Sequence, residues 1–85
     1  MPDDTFSIFS VLVGSAEKWP DRPALIDQYG TLDYKSLLAE TEKTAQLLRS
    51  YGLQEGDGVG VQGQNSRGFI IAVFAAVRCG ATVLP

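Results

Sequence analysis

The sequence predicts an α/β fold, the first part of a layered parallel-sheet domain in the order helix, β-hairpin, helix, strand, helix, strand. Three observations predict it. Two short strand-like runs flank Gly30, apolar residues repeat at helical spacing from Tyr34 to Leu48, and strand-like and helix-like segments alternate after residue 53. This alternation is typical of a β–α–β unit. Because a parallel sheet needs helices on both faces, we expect the domain to be incomplete within this chain.

Length, composition and charge exclude several classes of protein. With 85 residues, the chain is at most one small domain, and its 45% apolar and 20% charged residues are ordinary for a folded protein. Seven basic and ten acidic residues give a net charge of −3, which argues against a nucleic-acid partner or an anionic membrane surface. One cysteine cannot form an internal disulfide, and the lack of histidine removes every Ser–His, Cys–His and histidine–metal scheme.

No targeting signal or transmembrane segment is predicted. The first residues, Met1 to Asp4, are acidic, whereas a secretory signal begins with a positively charged region. The longest apolar run extends only from Phe69 to Val77, and a membrane-spanning helix needs about 20 residues. We therefore expect a reducing, cytoplasmic location.

The first predicted element is a helix that ends before Pro20, because the residue preceding a proline avoids the α region. Asp4 or Thr5 is its candidate N-cap. Its apolar stripe consists of Phe6, Phe9, Leu12, Val13, Ala16 and, at the end, Trp19. A membrane-binding helix would carry a basic polar face that this one lacks, so we expect it to pack on the rest of the fold.

A hairpin and a long helix follow. Pro23–Asp27 and Thr31–Asp33 are the strand candidates, joined by a tight turn. The long helix has Asp33 as N-cap and Gly52 as the glycine after its C-cap. One face of it carries Tyr34, Leu37, Leu38, Thr41, Ala45 and Leu48.

The last third of the chain predicts a strand at Val59–Val61, a helix from Arg67 to Cys79 and a strand from Ala81 to Pro85. Asn65 or Ser66 is the helix N-cap, and Gly80 ends the helix. The helix is apolar nearly all round, so we expect it to be a core helix with the arginines at its two ends solvated. A single layer cannot shield such a helix. We therefore expect the remainder of the same enzyme, or a partner chain, to cover residues 67–79.

The candidate nucleotide-binding motif lacks the surrounding sequence that such a site requires. Gly58, Gly60 and Gly63 match G-x-G-x-x-G, but valines alternate with the first two glycines, so the match lies inside a strand rather than opening a helix. No acidic residue follows Asp57 to hold a ribose hydroxyl, and no G-K-[ST] sequence occurs. Neither a dinucleotide site nor a Walker-type phosphate loop is predicted.

The remaining candidates for chemistry have simpler structural roles. Cys79 has no histidine partner and ends an apolar helix, so it is interpreted as a small buried thiol. Asp27 and Asp33 flank the hairpin, where turn and capping roles account for both. The sequence therefore predicts no catalytic, cofactor-binding or metal-binding residue in this segment.

Five segments in order resemble the N-terminal landmarks of the adenylate-forming enzymes, the AMP-dependent acyl-CoA synthetases and ligases. The family patterns are P-D-[KR]-P-A, the start T-Y-x-E-L of a long helix, L-x-x-x-G-[VL]-x-x-G-D-x-V, N-S-x-E-F and K-x-G-A-x-x-x-P. The matching segments are Trp19–Ile26, Leu32–Leu37, Leu47–Val59, Asn65–Phe69 and Arg78–Pro85. Together they cover nearly the whole chain.

Four positions depart from the family pattern. Asp33 stands for threonine, Ser36 for the glutamate of a capping box, Gly58 for an arginine and Gly68 for a glutamate. None of these positions carries chemistry in the family, so the departures bear on stability.

The resemblance implies that residues 1–85 are a partial N-terminal AMP-binding domain of an acyl-CoA synthetase. Such an enzyme uses ATP and Mg to convert a carboxylic acid to an acyl-adenylate, then transfers the acyl group to a thiol, usually coenzyme A. The family's phosphate loop, ribose-binding aspartate and catalytic lysine match no position here, so the segment alone is expected to be inactive. Two alternatives remain open: a small non-catalytic α/β scaffold or interaction module, and a truncated gene product. The coding sequence after Pro85 distinguishes them.

Overall fold

A computed structural model describes residues 8–61 and 66–84. The elements are α1 (Ile8–Lys18), β1 (Pro23–Asp27), β2 (Gly30–Asp33), α2 (Tyr34–Ser50), β3 (Gly58–Gly60), α3 (Arg67–Arg78) and β4 (Thr82–Leu84). The predicted α/β class and order of elements are confirmed. Several predicted features lie outside the described residues, namely the candidate caps Asp4, Thr5 and Asn65, and also Phe6, Gly63 and Pro85.

The strands form two separate pairs. β1 and β2 are antiparallel and close at Asp27 opposite Gly30, with an irregularity in register near Pro23. β3 and β4 are parallel, with Val59 opposite Val83, and α3 connects them, which confirms the predicted β–α–β unit. β3 begins and ends one residue earlier than predicted, although the Val61 amide still donates to Leu84 O at 3.3 Å.

The start of α2 shows how the chain satisfies the free amides of a first helical turn. Asp33 is the N-cap, as predicted, and its Oδ1 accepts from the Ser36 amide at 2.8 Å. The Tyr34 and Lys35 amides donate to the carbonyls of Arg22 and Pro20, both at 3.0 Å. The segment before the hairpin is therefore fixed against the start of α2.

Both α2 and α3 end in a Schellman motif. At the end of α2, the Leu53 amide donates to Leu48 O and the Gly52 amide to Arg49 O. Gly52 has a φ of +105°, a conformation that glycine adopts without the steric cost of a Cβ, as the predicted cap requires. Leu48 and Leu53 then pack against the same buried cluster, so the cap also closes the core.

The core lies where α2 packs against α1 and α3. Its fully covered positions are small: Ala45 of α2 and Ala75 and Ala76 of α3 each have 0% exposure, so the helix backbones approach closely. Thr41 is also fully buried, and its hydroxyl has no hydrogen-bond partner within the described part of the chain. The other buried residues are Leu12, Ala16, Leu37 and Cys79.

α3 is less covered than a core helix. Only Ala75 and Ala76 are buried within it, whereas its apolar residues from Phe69 to Phe74 are half-buried. The physical reason is the one expected from the sequence: α1 and α2 cover one side of a helix whose apolar residues point to several sides. None of the helices described is long and apolar enough to span a membrane.

Candidate functional site

The first landmark segment, Trp19–Ile26, has a structural role that the fold makes visible. Its carbonyls at Pro20 and Arg22 accept the free amides of α2. Two cations lie close to the Trp19 ring, with Lys18 Nζ at 5.6 Å and Arg22 Cζ at 5.2 Å from its centroid. Cation–π contacts of this kind order exposed side chains around a ring. This landmark therefore holds the start of α2 in place.

The third and fifth landmarks meet each other. The Gly56 amide donates to Gly80 O at 2.9 Å, and the Thr82 amide donates to Asp57 O at 2.8 Å. Asp57 also closes its own turn, since its Oδ2 accepts from the Gln54 amide at 2.9 Å. The glycine–aspartate turn before β3 is thus joined to the loop before β4.

Arg67 is not solvated, so that prediction was wrong. Its guanidinium donates twice to the Asp27 carboxylate, from Nη2 to Oδ1 at 2.9 Å and from Nε to Oδ2 at 3.2 Å. Nη2 also donates to Gly30 O at 3.1 Å. Asp27 keeps its expected turn role, because Oδ1 accepts from the Tyr29 amide at 2.9 Å.

Arg78 is only partly solvated, because its side chain is 36% exposed and forms an ion pair. Its Nε donates to Glu42 Oε1 at 3.1 Å, and its guanidinium lies 5.2 Å from the Phe9 ring centroid. The partners of both arginines are more than 35 residues away in sequence. No local pattern pairs residues so far apart. The sequence signal that could have indicated these ion pairs is that each arginine lies at one end of an apolar helix, which must pack against other elements of the fold.

Both aspartates that flank the hairpin have lowered pKa values. The pKa of Asp27 is lowered chiefly by its side-chain hydrogen bonds from Arg67, and the pKa of Asp33 by its hydrogen bonds from Ser36. Both carboxylates therefore remain ionised to lower pH than a free aspartate. A general acid at neutral pH needs a raised pKa, so neither aspartate fits that role.

The structure places Cys79, Gly58 and Gly60 in the structural roles that the sequence predicts for them. Cys79 is buried, is the C-cap of α3, and its thiol donates to Ala45 O at 3.5 Å. Gly58 and Gly60 are inside β3 rather than at a helix start, so they do not form a phosphate-binding turn. A Cβ at Gly58 would lie 3.2 Å from Leu84 Cδ1, which indicates that this glycine is suited to close strand packing.

Neither of two surface cavities in the described part of the chain gathers the predicted candidates into a reactive group. One, of about 430 Å³, lies between the start of α1 and the carboxyl ends of α2 and α3, and Arg49, Glu55 and Arg78 contribute its charges. The other, of about 390 Å³, lies between β2, α2 and α3, beside Glu40 and Arg67. The residues described contain no cluster of three or more potential metal ligands.

Comparison with protein families matches residues 12–85 to the AMP-binding enzyme family. The salicyl-AMP ligase / salicyl-S-ArCP synthetase of Mycobacterium tuberculosis is 36% identical over 77 residues, covering 85% of this chain and 14% of the relative. Enterobactin synthase component F of Escherichia coli K12 is 34% identical over 85 residues, covering 100% of this chain and 6% of the relative. The chain thus spans a small part of the length of the curated relatives it matches.

Solved structures show the same fold. The N-terminal subdomain of Klebsiella oxytoca NpsA, in complex with 3-hydroxybenzoyl-AMSN, superposes with a TM-score of 0.89 at 25% identity, covering 93% of this chain and 20% of that one. A putative long-chain-fatty-acid CoA ligase from Rhodopseudomonas palustris gives a TM-score of 0.86 at 31% identity, covering 94% and 20%. The matched part of each is a minor portion of a larger enzyme.

Proposed function

Since this chain belongs to the AMP-binding enzyme family, we propose that it is the N-terminal segment of an adenylate-forming ligase that activates a carboxylic acid with ATP. The observation that carries the proposal is the family match over residues 12–85, together with the superposition on the N-terminal subdomain of an adenylate-forming enzyme. In the reaction, a carboxylate oxygen attacks the α-phosphate of ATP, giving acyl-adenylate and pyrophosphate.

The contribution of this segment is architectural. Its landmark residues hold helix starts, helix ends and turns together, as at Asp33, Gly52 and Gly80. At the two ends of α3, the charges of Arg67 and Arg78 are paired with carboxylates and the Ser66 hydroxyl accepts from the Phe69 amide, so these groups are already engaged within the fold. ATP, Mg and coenzyme A are therefore expected to bind elsewhere in the complete enzyme.

Residues outside this segment would cover the half-buried side of α3. The apolar residues from Phe69 to Phe74 remain partly accessible, and β3 and β4 form a sheet of two strands. Two-stranded sheets are marginal alone, and an apolar helix face requires a second layer. The remainder of the same enzyme is the simplest such layer. We propose that the enzyme is soluble and located in the cytoplasm.

The thiol acceptor is coenzyme A or a carrier protein. The resemblance in sequence favours coenzyme A, as does the similarity to a putative long-chain-fatty-acid CoA ligase. The similarity to a salicyl-S-ArCP synthetase and to a nonribosomal peptide synthetase protein with adenylation and PCP domains favours a carrier protein. Both acceptors take the acyl group from the same adenylate, so the first step is independent of this choice.

Acid-dependent exchange of labelled pyrophosphate into ATP tests the first step, because it reports adenylate formation without the thiol. We expect the protein encoded by the complete gene to catalyse exchange with one class among fatty, aromatic and amino acids. Reactions without acid, and reactions with the 85-residue segment alone, are the controls and should show none. Absence of exchange with all three classes contradicts adenylation, and exchange by the segment alone contradicts its architectural role. Mass spectrometry after adding coenzyme A or a holo-carrier protein then identifies the acceptor.

A further inference from the structure

The hairpin and the β–α–β unit are separate sheets that share α2 as a common support. β1 and β2 pack on α2, and α2 packs on α3. Within residues 8–61 and 66–84, the hydrogen bonds that join the hairpin directly to α3 all come from Arg67. Arg67 therefore supplies the direct polar link between the hairpin and α3, in addition to their shared packing on α2.

The geometry at Arg67 is that of a fixed joint. Arg67 is the first residue of α3, and the preceding residue, Ser66, is the N-cap, whose side chain accepts from the Phe69 amide. The guanidinium reaches both ends of the hairpin turn, the Asp27 carboxylate on β1 and the Gly30 carbonyl on β2. A bidentate arginine–carboxylate pair restricts both distance and angle, which a lysine does not.

The Asp27–Arg67 pair is less exposed to solvent than the Lys35–Asp21 ion pair on the surface. The Arg67 and Asp27 side chains are 28% and 27% exposed, whereas Lys35 and Asp21 are 68% and 84% exposed with their atoms 3.8 Å apart. Exposed pairs contribute little because water and salt screen them. A shorter, bidentate and less exposed pair is screened less, so it can hold a defined orientation.

We propose that the Asp27–Arg67 pair is a strap that locks the hairpin to the start of α3 and makes the two small sheets move as one body. The strap lies where the chain enters α3 after the carboxyl end of β3. The strap therefore fixes the position of the hairpin turn relative to the start of α3. This role is independent of which acid or thiol the enzyme uses.

Amide hydrogen exchange in the complete protein tests the strap through the variant Arg67→Gln. The matched control is Arg78→Gln, which removes an ion pair at the other end of the same helix, where Arg78 contacts Glu42 on α2 rather than the hairpin. We expect Arg67→Gln to speed exchange of the β1 and β2 amides by about threefold or more, with the α2 amides unchanged. Arg78→Gln should leave the hairpin amides at their wild-type rates.

The outcomes separate a strap from a general loss of stability. Unchanged hairpin exchange in Arg67→Gln overturns the proposal, and so does an equal acceleration in both variants or throughout α1 and α2. If Arg67→Gln does not fold, Arg67→Lys is measured instead. Lysine keeps the charge but not the bidentate geometry, so we expect a smaller acceleration confined to the hairpin. Wild-type rates in Arg67→Lys overturn the geometric part of the proposal.

Discussion

At the scale of single residues, Gly80 is the described glycine at which an added Cβ would make the closest contact. Its φ is +79°, and a Cβ would lie 2.9 Å from Glu55 Cγ and 3.3 Å from Glu55 Cβ. An alanine there would strain the backbone and press on the turn that the Gly80 carbonyl joins through the Gly56 amide. We expect Gly80→Ala to destabilise the end of α3 and β4 by more than about 1 kcal/mol.

Gly68 is the matched control for this substitution. It lies in the first turn of α3 and is exposed, and a Cβ added there would meet nothing within 4 Å. Alanine favours a helix over glycine by about 1 kcal/mol, so Gly68→Ala should stabilise α3 or leave it unchanged. Amide exchange of α3 and β4 in the complete protein measures both variants. Equal effects of the two substitutions would show that the close approach to Glu55 is unimportant.

Residues with local signals were predictable, and residues with distant partners were not. Asp33 and Gly52 were predicted as caps because capping depends on neighbours within a few residues, and the structure confirms both. Arg67 and Arg78 were predicted as solvated, and their partners Asp27 and Glu42 became visible only in the fold. Ion pairs across elements follow from packing, which a single sequence does not specify.

At the scale of elements, the type and order of every described helix and strand followed from hydrophobic period and punctuation. The β–α–β unit was predictable because strand, cap, apolar helix and glycine follow each other within residues 58–84. The coverage of α3 was not. Its composition predicts a core helix, but the elements present cover only the side that carries Ala75 and Ala76. Covering the rest of α3 depends on residues outside the segment.

The exposed side of α3 predicts the behaviour of the isolated 85-residue chain. Its half-buried apolar residues from Phe69 to Phe74 would meet water, and Val11 and Ile26 add exposed apolar surface elsewhere. We expect the chain to self-associate or to form a loose globule that binds the dye ANS. Sedimentation and ANS fluorescence measure this, with the complete protein as control. A monomer with sharp side-chain NMR dispersion and no dye binding would contradict the expectation.

At the scale of the whole molecule, the landmark residues of this segment have structural roles, and we propose that the catalytic groups lie outside it. The landmark residues that identify the family lie at joints: Pro20 and Arg22 at the start of α2, and Asp57 and Gly80 between β3 and β4. Each of these positions has a structural hydrogen bond that accounts for it, and we propose that none of them contacts the reacting phosphate. The family could therefore be identified from the sequence of this segment, whereas the acid and the thiol acceptor could not.

This separation predicts that the isolated chain does not bind Mg-ATP. A triphosphate is held by backbone amides of a glycine-rich loop, by lysine or arginine, and by a metal on carboxylates. The sequence has no G-K-[ST] motif, no lysine after Lys43 and a net charge of −3, which repels an anion. The guanidinium groups of Arg67 and Arg78 are engaged by Asp27 and Glu42.

Calorimetric titration with Mg-ATP measures this on the isolated chain and on the complete protein under the same conditions. We expect no binding heat from the isolated chain and saturable binding by the complete protein, because we propose that the phosphate-binding groups lie outside the segment. The variant Arg67→Gln of the isolated chain is a further control. If the isolated chain bound Mg-ATP with micromolar affinity and this variant lost the binding, Arg67 would be a phosphate ligand rather than the partner of Asp27. The segment would then take part in the chemistry directly.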